Sequence, residues 1–381
     1  MIRSPLSLFT IFSGIFLIMA LSNAIVPVLP GIGGDLQMQT YLFSAYFLGA
    51  MIMTLPGGII SDRVGQGPVL ASSLLITFLS GILLFILHDP GILVLVRVGE
   101  GVGAGLFVSA ALSWINYQRD HLHLAGIFMA LLNGGLLCGL IAGGWIDLAD
   151  EIVTEGVLLF TLLFIPVLSI LPLILPRRGV RTREATIGPP VSLATLIADA
   201  GGMVIREWPL WYSVIILLGM TGFVQAIYPE ISSLPPARVS MILAGMNLAT
   251  IISTLLAPRI RTEPVLLIRM SAVLMAGFVL IFPTFWVAVV LIGFVAGVII
   301  ISQIHYLSVA EEHQGIAMGL FSTAQYAGMT IIPGIGGGVA AAWSVMHSSV
   351  IIVILALISV ITIGWCRCRG FVPPDSDVSR L

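Results

Sequence analysis

Long runs of apolar residues, separated by short polar breaks, follow one another along nearly the whole chain. Most runs extend for about twenty residues, the length of a helix that spans a bilayer, whereas a membrane β-strand needs only about ten alternating residues. We therefore predict an all-α integral membrane protein. Its twelve predicted transmembrane helices cover residues 6–29, 41–60, 69–87, 92–115, 124–146, 156–175, 211–228, 240–256, 265–282, 286–307, 316–341 and 348–365. The first run is longer than the apolar part of a signal peptide, so we expect it to be retained.

The longest polar stretch divides the twelve runs into two sets of six. We expect an N-terminal six-helix bundle over 1–175, a cytoplasmic linker over 176–209, a C-terminal six-helix bundle over 210–366 and a cytoplasmic tail over 367–381, with pseudo-symmetric bundles around a central cavity. A short internal repeat supports this division, since Asp62-Arg63-Val64 and Pro258-Arg259-Ile260 each follow the second helix of their half. Within the linker, residues 192–206 form either a helix on the membrane surface or a plain solvated connection.

Composition agrees with a membrane protein and narrows the function. Hydrophobic residues make up 58% of the chain and charged residues 9%, against roughly 25% charged residues in soluble domains. The net charge of -2 and the lack of a basic patch exclude a nucleic-acid partner. The three cysteines provide neither a disulfide framework nor a metal site, and we expect no cofactor. Because the loops are too short for a catalytic domain, we expect a protein that is not an enzyme.

The distribution of arginine predicts the orientation. If the N-terminus is cytoplasmic, nearly all loop arginines lie on the cytoplasmic side, and Arg238 alone lies clearly on the other. Cytoplasmic loops carry an excess of positive charge. We therefore predict a multi-pass protein of the plasma membrane with both termini in the cytoplasm.

A glycine-rich charged motif lies in the predicted loop between the second and third helices, with the sequence Gly58-Ile-Ile-Ser-Asp62-Arg63-Val-Gly65. It resembles the signature of the major facilitator superfamily, although Gln66-Gly67 replaces the usual basic pair. The resemblance implies secondary transport by alternating access, with these residues as a conformational latch in which Asp62 pairs with an arginine such as Arg119 in one state. A solvated turn without a switching role is the alternative.

Small residues recur on the predicted fifth helix, which carries Gly135, Gly139, Gly143 and Gly144. They resemble the exporter-associated motif of the same family, except that Leu140 replaces its proline. The motif implies export, whereas close packing against a neighbouring helix is the minimal interpretation. The segment Pro27–Leu36 also resembles twelve-helix drug and metabolite exporters.

Two opposite charges, Arg97 and Glu100, lie inside the predicted fourth helix. Their spacing of three places them on one helical face. A charge near mid-span costs about 2.5–3.5 kcal/mol, so we predict that Glu100 carries the coupling proton and that Arg97 tunes its affinity. The alternative is a mutually neutralising structural pair. The internal repeat makes Gly293 and Ala296 their equivalents in the second half, so the fold does not require the pair.

Isolated polar and aromatic residues in apolar helices are candidates for the cavity lining, although each is also able to bond a neighbouring helix. They are Asn23, Tyr46, Asn133, Gln225, Asn247, Gln303, Gln325 and Tyr326. The scarcity of charge favours a neutral, amphipathic or cationic small molecule. We predict a monomeric, proton-coupled exporter whose partners are this substrate, the proton and membrane lipid. An uptake symporter of the same fold is the alternative, and a membrane enzyme or sensor is the third.

Overall fold

The computed structural model describes residues 5–116, 118, 120–145, 155–174, 201–260, 262–310 and 314–365. Twelve long helices account for most of them: α1 Pro5–Ala24, α2 Leu36–Val64, α3 Gln66–Ile86, α4 Pro90–Asn116, α5 His121–Trp145, α6 Glu155–Ile174, α7 Trp208–Ile231, α8 Pro236–Leu256, α9 Pro264–Ile281, α10 Trp286–Ala310, α11 Gln314–Ala342 and α12 Val345–Thr362. After α1 the chain continues through a 3₁₀ turn, Val26–Val28, and a short helix, Leu29–Gly33. No strand occurs in the described ranges.

Ten helical segments of the described chain are long and apolar enough to cross a membrane by length and composition. Outside that set are α6, whose apolar stretch Gly156–Ile170 is shorter, and α11, which is rich in glycine and polar residues. The all-α membrane fold with twelve helices in two six-helix bundles is confirmed.

The prediction that the charged motif lies in a loop after the second helix is wrong, because α2 continues to Val64. Asp62 and Arg63 therefore belong to its last turn, and only Gly65 separates α2 from α3. Gly65 has a φ of 100°, a conformation that is costly for residues with a side chain. The hydrophobic pattern marked the apolar span, whereas the helix itself extends beyond it.

The linker is described only from residue 201 onwards. Residues 201–206 are helical, and the buried Met203 accepts a hydrogen bond at its carbonyl from the Trp211 indole at 3.2 Å. Ile205 is 78% exposed. This short segment therefore packs one face on the start of α7 and leaves the other uncovered, while residues 192–200 lie outside the described ranges.

Glycine permits the closest helix contacts, and the same contacts recur in both bundles. Along α5, a side chain at any of three glycines spaced four apart would meet a backbone carbonyl of α1; the pairs are Gly135 with Phe16, Gly139 with Ala20 and Gly143 with Ala24. In the second bundle, Gly328 of α11 faces the carbonyl of Ile215 on α7 in the same way. Small residues allow such approach, so α1 with α5 and α7 with α11 form corresponding pairs.

Candidate transport site

Arg97 and Glu100 form an ion pair that is buried between the helices of the first bundle. Their side chains are 1% and 0% exposed, and Nη1 of Arg97 lies 2.6 Å from Oε2 of Glu100. The remaining donors of Arg97 reach two other helices: Nε donates to the carbonyl of Leu42 on α2 at 3.2 Å, and Nη2 to the carbonyl of Ser22 on α1 at 3.4 Å. The guanidinium thus ties α1, α2 and α4 together.

Close approach of α2 and α4 makes this network possible. A side chain at Gly49 of α2 would meet the carbonyl of Val98, and one at Gly101 of α4 would meet the carbonyl of Tyr46. Because both residues are glycine, with only a hydrogen atom as side chain, the two backbones come near enough for Arg97 to reach a carbonyl on α2. The glycines at positions 49 and 101 are therefore required by the close packing of α2 and α4.

An aromatic cluster continues from this pair to the second bundle. The Tyr46 ring centroid lies 4.9 Å from Cζ of Arg97, a cation–π distance. Phe47 packs on Tyr46 with centroids 5.1 Å apart, and Tyr326 of α11 lies 6.2 Å from Phe47. We define Tyr46, Phe47 and Tyr326 as the aromatic bridge, since they connect the buried ion pair of one bundle with α11 of the other.

One carboxylate oxygen of Glu100 has no partner in this network. Its Oε1 is buried and lacks a hydrogen-bond partner among the described residues, while Oε2 is paired with Arg97. An unsatisfied buried polar atom costs about 1–3 kcal/mol, and more when it is charged. Oε1 is therefore the atom of this network that has most to gain from a proton, a water molecule or a ligand.

The predicted equivalents of Arg97 and Glu100 in the second bundle are wrong. Gly101 and Gly105 of α4 face the carbonyls of Tyr46 and Ala50, as Gly293 and Gly297 of α10 face those of Met246 and Thr250. Corresponding contacts thus align Gly101 with Gly293, and the ion pair aligns with Val289 and Ile292, which are both 0% exposed. The repeat in the loops gave the wrong equivalence because the number of residues between the second and fourth helices differs in the two halves. The second bundle still has no charged pair there.

The other predicted cavity residues have varied surroundings. Asn23 donates to the carbonyl of Leu136 at 3.2 Å, and the buried Gln303 donates to Oγ of Ser213 at 3.1 Å, so both connect helices within one bundle. Asn133 and Asn247 are partly buried and donate to carbonyls of their own helices. Gln225 is 6% exposed and Gln325 is partly buried. Of the eight candidates, the structure brings Tyr46 and Tyr326 together with the ion pair.

The latch residues are described in part. Gly65 forms the turn, Arg63 is exposed, and Gln66 donates to Oγ of Ser113 on α4 at 3.2 Å. A side chain at Gly58 would meet nothing within 4 Å. The Asp62 side chain and Arg119 lie outside the described part, so the latch stays a prediction.

The two bundles are closed against each other at one end. Residues 17–29 of α1 and its extension are all buried, as are 216–229 of α7, whereas the first halves of both helices contain partly exposed positions. In both helices the fully buried stretch lies toward the end at which the helix finishes. We call this end of the molecule the closed end.

Two further contacts join the bundles at the closed end. Nε2 of Gln39 on α2 donates to Oε2 of Glu230 on α7 at 2.9 Å. Gly144 of α5 packs against Ser240 of α8, so this glycine of the predicted packing set faces the other bundle rather than α1. Gln39 and Glu230 were not predicted from the sequence, although each is a polar residue next to an apolar run.

Comparison with known proteins decides the family. The model of the Major Facilitator Superfamily matches residues 11–333. The chain belongs to the Major Facilitator Superfamily. It is accordingly a multi-pass membrane transporter and not an enzyme.

Curated relatives of this facilitator match over a limited stretch. The quinolone resistance protein NorA of Staphylococcus aureus is 27% identical over 145 residues, which are 36% of this chain and 37% of NorA. The puromycin resistance protein pur8 of Streptomyces alboniger is 31% identical over 137 residues, 34% of this chain and 27% of that protein. The matched region thus spans little more than a third of NorA and about a quarter of pur8.

Solved structures match over nearly the whole fold. A mutant of the nucleoside transporter NupG superposes with a TM-score of 0.76 at 15% identity, covering 94% of this chain and 99% of NupG. A bacterial homologue of the human lysosomal transporter Spinster, inward-facing and occupied, gives a TM-score of 0.72 at 14% identity, covering 94% of this chain and 96% of that one. At such identities the similarity establishes the fold alone.

Removing the Gln39–Glu230 contact should open the closed end of this transporter. We expect Glu230→Ala to increase the population open at this end by about tenfold, because a hydrogen bond to a charged group contributes about 1.5–3 kcal/mol. Spin labels at His88→Cys and Ser233→Cys, in exposed loops of the two bundles, report the separation once the native cysteines are replaced by serine.

Glu263→Ala is the matched control, because Glu263 is an exposed glutamate at the other end of the molecule. It should leave the distance distribution unchanged. If Glu230→Ala gives the same distribution as the control, the contact does not hold the closed end together.

Proposed function

We propose that this transporter exports a neutral, amphipathic or cationic small molecule in exchange for protons. The observation that carries the proposal is the Arg97–Glu100 pair, which is fully buried in a membrane span and has a free carboxylate oxygen. Ionisable groups inside membrane spans commonly mark proton or substrate pathways. The names of NorA and pur8 refer to drug resistance, which supports export by this chain.

Protonation of Glu100 would change the network in a defined way. With Glu100 ionised, Arg97 has a counter-charge at 2.6 Å. Once Glu100 is neutral, the guanidinium retains only the two carbonyls and the Tyr46 ring, so its attraction to α4 weakens relative to α1 and α2. The aromatic bridge gives this change a path to α11, and a cationic substrate near Oε1 would compete with the proton.

The buried position of the Arg97–Glu100 pair is compatible with alternating access. Leu42 and Ser22, which bind Arg97, lie in the halves of α2 and α1 that are nearer the closed end. The pair therefore lies in the half of the membrane span that is nearer the closed end, and separation of the bundles at that end would give the pair access to water. We infer that Glu100 takes up its proton from that side when the closed end separates and releases it to the opposite side after the closed end has formed again, so that one proton crosses per cycle.

An uptake symporter remains the second candidate. NupG is a nucleoside transporter, and Leu140 of this chain replaces the proline of the exporter motif. The exporter and the symporter would use the same proton site, so only a measurement of the direction of substrate transport distinguishes between them.

We further infer that the protein lies in the plasma membrane with both termini and the linker in the cytoplasm. It is a monomer whose two bundles cover residues 1–175 and 210–366. The end opposite the closed end is then cytoplasmic, and the described state is inward-facing. In intact cells, an impermeant thiol reagent should label His88→Cys, which lies in an exposed loop of the closed end, and should leave Cys366 and Cys368 unmodified. The reverse pattern would contradict this orientation.

Glu100→Gln should abolish coupling and spare substrate movement. In everted membrane vesicles that are acidified inside, we expect the wild-type protein to accumulate ethidium, a cationic amphipathic dye, against its gradient. The amide retains the size of the side chain and cannot carry the proton, so uphill accumulation should fall at least tenfold while exchange of ethidium for ethidium continues.

Asp89→Asn is the matched control, because it removes an exposed carboxylate near the start of the same helix, and asparagine is also able to accept the hydrogen bond from the Ile92 N–H. It should transport at the wild-type rate. Uphill accumulation by Glu100→Gln at that rate would make Glu100 a structural partner of Arg97 only. Uphill movement of uridine in the opposite direction, instead of ethidium, would favour the symporter.

A further inference from the structure

A groove of about 700 Å³ runs along the flank of the molecule, apart from the buried ion pair. Its floor is one face of α2, formed by Tyr41, Ser44, Ala45 and Leu48 at helical spacing. One wall comes from α4 at Val94 and Val98, and the other from α11 between Thr330 and Trp343. The groove therefore has walls from both bundles.

Small residues make the groove deep. Ala45 contributes to the floor, and Gly334 and Gly338 contribute to the α11 wall. A side chain at Gly338 would meet nothing within 4 Å, so the space beside it is open. Exposed apolar residues, Ile331 and Ile335 of α11, lie along the opening, as expected for a surface that faces lipid in a membrane protein.

The lining offers little to a polar ligand. Oγ1 of Thr330 donates to the carbonyl of Tyr326 at 2.8 Å and is therefore occupied. Oγ of Ser44 is buried and has no hydrogen-bond partner among the described residues, so it is a lining hydroxyl still able to bind a polar group, and it lies beneath the α11 wall, 3.6 Å from where a Cβ at Gly334 would be. Apart from Thr330, this buried hydroxyl and the rim residues, the lining consists of Ala, Val, Leu, Ile and Gly, so the groove presents a mainly apolar surface that suits a hydrocarbon chain.

The dimensions of the groove match one leaflet of a bilayer. The α11 wall from Thr330 to Trp343 is about 20 Å long at 1.5 Å per residue, and half of a hydrocarbon core is about 15 Å. At the rim, Trp343 is 71% exposed and Tyr41 41% exposed, and the Tyr41 hydroxyl accepts a hydrogen bond from Gln37 at 2.6 Å. Tyrosine and tryptophan favour the headgroup level of a membrane.

We propose that this groove binds one acyl chain of a phospholipid from the leaflet at the closed end, with the headgroup beside Tyr41 and Trp343. Because α2 and α4 belong to one bundle and α11 to the other, the chain contacts both bundles only while the closed end stays closed. Such a ligand favours the state in which both walls are in place. The site would make the inward–outward balance sensitive to lipid, independently of which substrate is carried or whether protons drive transport.

Photo-crosslinking in nanodiscs tests the site. A phosphatidylcholine with a diazirine in one acyl chain should label peptides that contain residues 41–48 and 330–343 of the wild-type protein. Gly338→Leu places a side chain in the groove at a position where the added Cβ meets nothing within 4 Å, and should reduce this labelling about fivefold or more. Ala342→Leu, nearer the rim, should also reduce it and guards against a local effect of the first variant.

Gly277→Leu is the matched control, because Gly277 is another helical glycine at which an added Cβ would meet nothing within 4 Å. It should leave labelling of the groove peptides unchanged. Equal labelling of these peptides in Gly338→Leu and the control would mean that only the general lipid shell is detected, and would overturn the proposal. Labelling should also fall in Glu230→Ala if the closed end opens, and undiminished labelling in a variant whose spin-label distance has increased would overturn the dependence on state.

Discussion

Close contact between helix backbones is the constraint on which the rest of this structure depends. In the first bundle, Gly49 and Gly101 bring α2 and α4 together, and the carbonyl of Leu42 thereby comes within 3.2 Å of Nε of Arg97. A buried guanidinium is tolerated only where its donors are satisfied. The glycines thus permit a charge inside the membrane span, and that charge in turn allows Glu100 to sit beside it. Proton coupling, as proposed, is built on this packing.

The two bundles share the packing and differ in its use. Gly293 and Gly297 bring α8 and α10 together as their counterparts do in the first bundle, but Val289 and Ile292 occupy the places of the ion pair. The second bundle contributes Tyr326 to the aromatic bridge and Glu230 to the closed end. The first bundle therefore holds the titratable pair. The second bundle supplies the residues, Tyr326 and Glu230, through which a change at the pair would affect the contact between the bundles.

Periodicity in the sequence was enough for the fold, because a membrane span needs a long apolar run and each of the twelve runs became a helix. The position of Asp62 was harder to predict, since a helix is free to extend past its apolar part, as α2 does. Arg97 and Glu100 were recognisable because charge inside an apolar run is costly wherever the helix packs. The Gln39–Glu230 contact joins residues 191 positions apart, and the groove combines three helices, so both depend on tertiary packing that no local pattern contains. The register between the bundles also required the glycine contacts, which corrected the equivalence taken from the loops.

Infrared difference spectroscopy of the purified protein in lipid is the most direct test of the proposed proton site. A change of pH should produce the carbonyl band of a protonated carboxylic acid, and addition of ethidium should perturb that band. Glu100→Gln should lack this band, whereas Asp89→Asn should retain it. A spectrum of Glu100→Gln that still contains the same substrate-sensitive band would contradict the assignment of the coupling proton to Glu100.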